Sequence, residues 1–273
     1  MNYSYKTGFL LSQKNRFQNF LWLFVFCLSL MIYTGSASAQ ISAEEINSIH
    51  KSYDILLQLY VTNNRFDYGR MWNNEDDVQR LAQYIDTLET MNPADWSKND
   101  AFAYWINLYN AATIELVLKN YPIKSIRDIG GFLRKSPWNR KVVTVAGREM
   151  TLNDIEATIR DQFKDARVHF ALNNTAVSCP PLSNRAYLGE SLENQLEAAC
   201  FMVLKDERFV KITDSELLVS KIFDWYKNDF IESAGSFREF IAKYREEDRD
   251  AIMDAARQLK FMDYNWDLNM VGF

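Results

Sequence analysis

Glycine and proline are scarce in this chain, nine and five among 273 residues. That disfavours a loop-rich all-β sandwich, whose many turns draw on both residue types. Histidine is rarer still at two, and cysteine stands at three. A disulfide-dense scaffold is therefore excluded, and the ligand set for a metal centre is short. No long basic block follows Gln40, and acidic residues outnumber basic ones 36 to 31. Nucleic acid and anionic membrane surfaces both reward clustered Lys and Arg, so neither is an expected partner.

Acidic residues are also missing from the first 39 positions, which carry only Lys6, Lys14 and Arg16 as charges. An apolar run from Phe20 to Tyr33 follows, then Ser36-Ala37-Ser38-Ala39. A basic start, a short apolar middle and a small-residue exit make the pattern of a secretory signal cleaved after Ala39. The run falls short of the roughly 20 apolar residues of a spanning helix, so no membrane span is expected after cleavage. Cys27 would leave with the signal. Cleavage removes three basic residues and no acidic ones, moving the net charge from −5 to −8. The expected product is an exported chain, periplasmic or secreted, with one globular domain over 40–273.

What remains reads as mainly helical α+β with small antiparallel hairpins. Ile46, Ile49, Tyr53, Leu56, Leu57 and Tyr60 follow the 3.6-residue period of a first helix, and Val78, Leu81, Tyr84, Ile85 and Leu88 that of a second. Ser97-x-x-Asp100 predicts the start of a third helix, which has no charge from Ala101 to Ile114 and should be buried all round. It carries Asn107 and Asn110 on one face and Trp105 and Tyr109 on roughly the opposite one. Buried amides need partners, so a polar network is expected beneath it. Val142–Met150 reads as a hairpin turning at Ala146-Gly147, and Thr151-x-x-Asp154 opens a helix to about Phe163. Arg167–Leu172 alternates like a short strand, with Arg167 and His169 on its less apolar face. Further helices are expected over 191–205, 223–231, 237–244 and 248–259, a second hairpin over 209–220, and an extended piece over 261–268.

The candidate chemistry centres on two residues. Cys179 follows His169 within ten positions, in a loop stiffened by Pro180-Pro181. A thiol nucleophile needs a base for its proton, and a third group to orient that base. His169 is the candidate base, with Asn107, Asn110, Asn173 or Glu156 as orienting group; Arg167 could favour the thiolate by its charge. Ser178 is a weaker nucleophile, since no Gly-x-Ser-x-Gly surrounds it. Three other readings stand beside this one: a Cys179–Cys200 disulfide, an inert buried thiol, and a metal site. His50, on the first helix, reads as solvated or locally bonded, and Cys200 as a core thiol.

Several motifs, taken together, are similar to one known family. Ala103-Tyr-Trp-Ile-Asn-Leu-Tyr-Asn-Ala111, Pro137-Trp138, Asp154-Ile-Glu156, Arg167-Val-His-Phe-Ala-Leu-Asn173, Ser178-Cys-Pro-Pro-Leu182, Phe223-Asp-Trp-Tyr226 and Tyr264-Asn-Trp-Asp-Leu-Asn269 resemble the domain of unknown function 547. The likeness spans about 102–269, with the helices of 42–91 packed onto that core. It implies no reaction and no cofactor. The family often has a cysteine directly after the Asn of the His segment, where this chain has Asn174. The expectation is a polar groove formed by Asn107, Asn110, His169 and Cys179, with Trp105, Tyr109, Arg167, Asn173 and Ser178 as substrate contacts. Its function would be thiol-dependent hydrolysis or acyl transfer on peptide or amide bonds in the cell envelope. The alternative is a non-catalytic module that binds a small molecule or peptide.

Overall fold

The structure, a computed structural model, describes residues 41–130 and 136–272; the expected signal segment lies outside them. Helix α1 (Ala43–Tyr60) starts where Ser42 and Glu45 bond each other's backbone N–H, and it buries Ile46, His50, Tyr53, Leu56, Leu57 and Tyr60. Strands β1 (Val61–Thr62) and β2 (Arg65–Phe66) form a minimal hairpin. Its two turn residues, Asn63 and Asn64, have φ 50° and 62°, values that asparagine tolerates better than most residues. Two helices follow, α2 (Tyr68–Trp72) and α3 (Glu75–Glu89).

Helix α4 (Lys98–Leu118) is the axis of the fold. Ser97 caps it, and every residue from Ala101 to Ile114 is buried, as a chargeless stretch requires. Helices α1, α3 and α5 (Leu152–Phe163) pack around it. Strands β3 (Lys141–Val145) and β4 (Arg148–Thr151) pair antiparallel across the turn at Ala146 and Gly147, whose φ values of 49° and 76° close the hairpin. Thr151 and Asp154 then cap α5 reciprocally.

The C-terminal third has its own core. Helix α6 (Leu192–Leu204) leads into strands β5 (Val210–Ile212) and β6 (Glu216–Val219), paired antiparallel. Helices α7 (Ile222–Trp225), α8 (Lys227–Ala234), α9 (Phe237–Tyr244) and α10 (Arg249–Met253) follow, then β7 (Gln258–Phe261). Phe170, Phe223, Phe230, Phe240 and Tyr244 fill this second core, while α4 and its neighbours fill the first.

Three expectations are corrected here. Residues 166–170 form a 3-10 helix, not a strand: the Asp165 carboxylate accepts the Arg167 N–H and starts the turn. The alternation has another cause, since Val168 faces the first core and Ala166 and Phe170 the second. The expected helix over 248–259 stops at Met253, and Gln258–Phe261 joins β6 in parallel, so this sheet is mixed and not purely antiparallel. The helix expected over 223–231 breaks at Tyr226, where φ −111° and ψ 26° leave the helical range.

The segment after β7 runs across the loop that carries Cys179. Val177 and Ser178 donate backbone N–H groups to the Asp267 and Asn265 carbonyls. Asn269 donates to Thr175 at 2.7 Å, and Ser125 Oγ reaches the Trp266 carbonyl at 2.7 Å. A strap over 264–271 thus closes the loop of 173–180 from one side.

Candidate functional site

The polar network under α4 exists, but it is a set of clamps and not a groove. Asn107 bonds both polar groups of Tyr187, donating Nδ2–H to the carbonyl at 2.8 Å and accepting the N–H at 2.9 Å. Asn110 donates to the Ala171 carbonyl at 3.0 Å and accepts the Asn173 N–H at 2.9 Å. Each amide replaces the ladder partner that an irregular buried segment lacks. Together they hold the chain on either side of the Cys179 loop against α4. They position that loop and do not line the cavity beside Cys179.

His50 is not solvated. It is 1% exposed, with Nδ1 2.7 Å from the Tyr84 hydroxyl and 3.3 Å from Asn107 Nδ2. Burial pulls its pKa down to about 4. The other sequence-derived residues scatter. Trp105 lines a separate cleft of about 330 Å³ with Pro93 and Met150. Arg167 is taken up by Asp165, Glu193 and Glu197, so its charge is spent away from the thiol. Asn173 is buried and donates to the Pro180 carbonyl at 2.8 Å, fastening both ends of the loop. Ser178 Oγ accepts the Asn265 N–H of the strap.

Four of them do converge. Cys179, His169, Glu156 and Tyr109 line one small cavity of about 30 Å³, walled also by Tyr226, Tyr264 and Trp225. Its parts come from α4, α5, the 3-10 turn of 166–170, the Cys179 loop, the α7–α8 junction and the strap, at the seam of the two cores. The volume suits a water or a group of about two heavy atoms.

His169 is the best-defined group there. Its Nε2 lies 2.8 Å from Asp229 Oδ2, and its ring stacks on Tyr226 with centroids 3.8 Å apart. Arg160 grips the same carboxylate through Nε and Nη2, at 2.7 and 2.9 Å. The Arg160 hydrogen bonds, followed by that from His169, hold the Asp229 carboxyl far below its ordinary range. Asp229 is therefore an acceptor only, so Nε2 carries the imidazole proton and Nδ1 is left as the acceptor. Burial lowers the pKa of His169, and Asp229 opposes that shift.

The Cys179 sulfur accepts the Asn174 N–H at 3.0 Å and lies 3.7 Å from the Leu172 carbonyl. Among the described residues, no hydrogen bond joins it to His169. Burial pushes the thiol up to about 12, while the Asn174 N–H, the Tyr264 hydroxyl and the Thr175 N–H act the other way. These three donors would meet a thiolate if the sulfur lost its proton. Cys179 and Cys200 are both free, so the disulfide reading falls. Cys200 is a core thiol, as its stripe predicted. Among the described residues, no group of three His, Cys, Asp or Glu side chains could hold a metal ion. No helix there is long and apolar enough to cross a membrane.

The sequence reading missed Asp229, Arg160, Tyr226 and Tyr264 as site residues. Tyr226 and Tyr264 belong to Phe223-Asp-Trp-Tyr226 and Tyr264-Asn-Trp-Asp-Leu-Asn269, two of the motifs that carry the family resemblance. Asp229, sixty positions from His169, gives no local sign of its role. Thr175 holds φ 71° with a buried hydroxyl that has no partner among the described residues. Left-handed backbone is unusual for a β-branched residue, and this one lies four positions before the thiol.

No curated protein and no solved structure matches this chain. The family model described as "Protein of unknown function, DUF547" matches residues 93–202, a stretch that contains α4, α5, His169 and Cys179, and the match supports assigning the chain to that family.

Proposed function

We propose that the chain performs thiol-dependent acyl chemistry on an amide bond, with Cys179 as nucleophile, His169 as general base and Asp229 as its positioning residue. One observation carries this reading. Cys179 and His169 are walls of one cavity, and the Asp229 bond leaves the second imidazole nitrogen free to accept a proton. In the first step the thiol proton passes to His169 and the sulfur attacks the amide carbon. The imidazolium then protonates the departing amine, leaving a thioester. Water or a second amine attacks the thioester, releases the acid or a new amide, and returns the proton to sulfur. The Asn174 and Thr175 N–H groups and the Tyr264 hydroxyl stabilise the charged sulfur before attack. Asp229 takes the orienting place considered for Asn107, Asn110, Asn173 and Glu156.

A non-catalytic binding module is the second reading. The cavity volume of about 30 Å³ and a resting thiol pushed up to about 12 favour it. Alkylation of both thiols between pH 5 and 9 separates the two. Cys200 is also pushed up to about 12 by burial, so it is an internal standard for a thiol without a base. Catalytic chemistry requires Cys179 to label at least about tenfold faster than Cys200, and His169→Ala to abolish the difference. Labelling of both thiols only on unfolding would sink it.

The composition of residues 1–39 supports export, and the amide substrate then belongs to the cell envelope. The mass of the chain recovered from cell fractions tests this. A product starting at Gln40 is expected, and an intact chain in the cytoplasmic fraction would refute it.

A further inference from the structure

The cavity beside Cys179 is unusual in composition as well as in size. Tyr109, Tyr226, Trp225 and Tyr264 supply aromatic rings around it, and Glu156 supplies a carboxylate. Arg160 is close enough to Glu156 for the two charges to interact, Asp229 engages that guanidinium through two nitrogens, and the Tyr226 hydroxyl bonds the Glu156 carboxylate. Among the described residues of this cluster, Asp229 and Glu156 outnumber Arg160 by one negative charge, and burial lowers the pKa of the imidazole. Aromatic rings with an uncompensated carboxylate attract a cation, through the ring quadrupoles and through direct charge. Trp225 is 43% exposed while lining the cavity, so this wall reaches solvent and gives a ligand its way in.

We infer that the cavity is a subsite for a small primary ammonium group, such as the terminus of a lysine-like side chain, gripped by Glu156 among Tyr109, Tyr226 and Tyr264. This rests on the proposed function in naming the substrate class: an amide substrate that carries a primary ammonium group. The volume sets an upper size. About 30 Å³ takes an ammonium and its first carbon, and it excludes a tetra-substituted nitrogen.

The test is calorimetric titration of the full chain with methylammonium chloride, against sodium chloride and tetramethylammonium chloride at matched ionic strength. Saturable binding is expected for methylammonium alone. Glu156→Gln should weaken it by about tenfold or more. Equal responses to all three salts, no saturable binding, or undiminished binding in Glu156→Gln would overturn the inference. Should that variant lose its near-UV circular dichroism, the size series on the unaltered chain decides alone. Ammonium binding without any fast thiol would leave this subsite standing and remove the acyl chemistry. A fast thiol without ammonium binding would do the reverse.

Discussion

The two histidines show how differently one residue type behaves in two regions of the same molecule. His50 and His169 are both buried, at 1% and 5% exposure. His50 sits in the first core against a phenol and an amide, both neutral, and its Nε2 has no partner among the described residues. His169 sits at the seam of the two cores against a carboxylate that an arginine locks in place. Burial makes an imidazole neutral in both places. At His50 the Asn107 amide nitrogen can only donate, so Nδ1 is an occupied acceptor; at His169 the carboxylate can only accept, so Nε2 holds the proton and Nδ1 is free to take another. The first environment makes a structural histidine and the second a candidate base.

Four changes would break or sharpen that contrast. The largest effect is expected from Asn107→Ala, which orphans the N–H and carbonyl of Tyr187 and takes an amide from His50. Two buried unpaired groups cost about 4 kcal/mol, measured by urea unfolding. Because Asn107 clamps the chain beyond the Cys179 loop and bonds neither Cys179 nor His169, a variant that still folds should alter Cys179 labelling less than Asp229→Asn does.

Acid comes next. The folded pKa of His50 is about 4, below its ordinary 6.5, so the unfolded chain binds the proton first. The stabilising contribution is full above pH 6.5 and is lost as pH falls towards 4, by about 3 kcal/mol in all. His169 is lowered as well and adds in the same direction. Urea midpoints across this window should fall for the unaltered chain and fall less in His50→Gln. An unchanged slope in that variant would move the acid sensitivity elsewhere.

Asp229→Asn preserves shape and removes charge. A part-exposed pair limits the stability loss to about 1–2 kcal/mol. The effect on Cys179 should be larger: labelling slows and its pH profile shifts, because the imidazole is no longer held in one tautomer. Equal loss of labelling at Cys200 would mean general loosening instead. The smallest change in stability is expected from Thr175→Gly. Relief of the left-handed backbone and loss of an unpartnered hydroxyl should stabilise by about 1 kcal/mol, with altered Cys179 reactivity as the loop relaxes.

Much of the fold was legible because local signals agreed with tertiary need. The motifs at Ser97 and Thr151 start helices where expected, the Ala146-Gly147 turn closes its hairpin, and the chargeless α4 is buried throughout. The 166–170 turn was misread because a period of two arises whenever a short segment lies between two cores. The burial of His50 was not legible because its helix is polar on most of its outer face, and only the packing of Tyr84 and Asn107 closes over it. Four residues of the candidate site were legible from residue type and motif: Cys179, His169, Glu156 and Tyr109. Their partners were not, because Asp229 and Tyr264 reach the site only through the packing of distant elements.

The strap of 264–271 has a consequence for the order in which the molecule becomes itself. It joins the Cys179 loop, Ser125 and the β1–β2 hairpin, and its Asn269 reaches the Asn64 carbonyl across 205 positions. Contacts so far apart along the chain close late, after local helices have formed. Until they close, the loop lacks its cover and the thiol meets solvent without its shelter. The surroundings of Cys179 are thus expected to be among the last parts of the fold to be completed, with the thiol more open to oxidants before that point than after it.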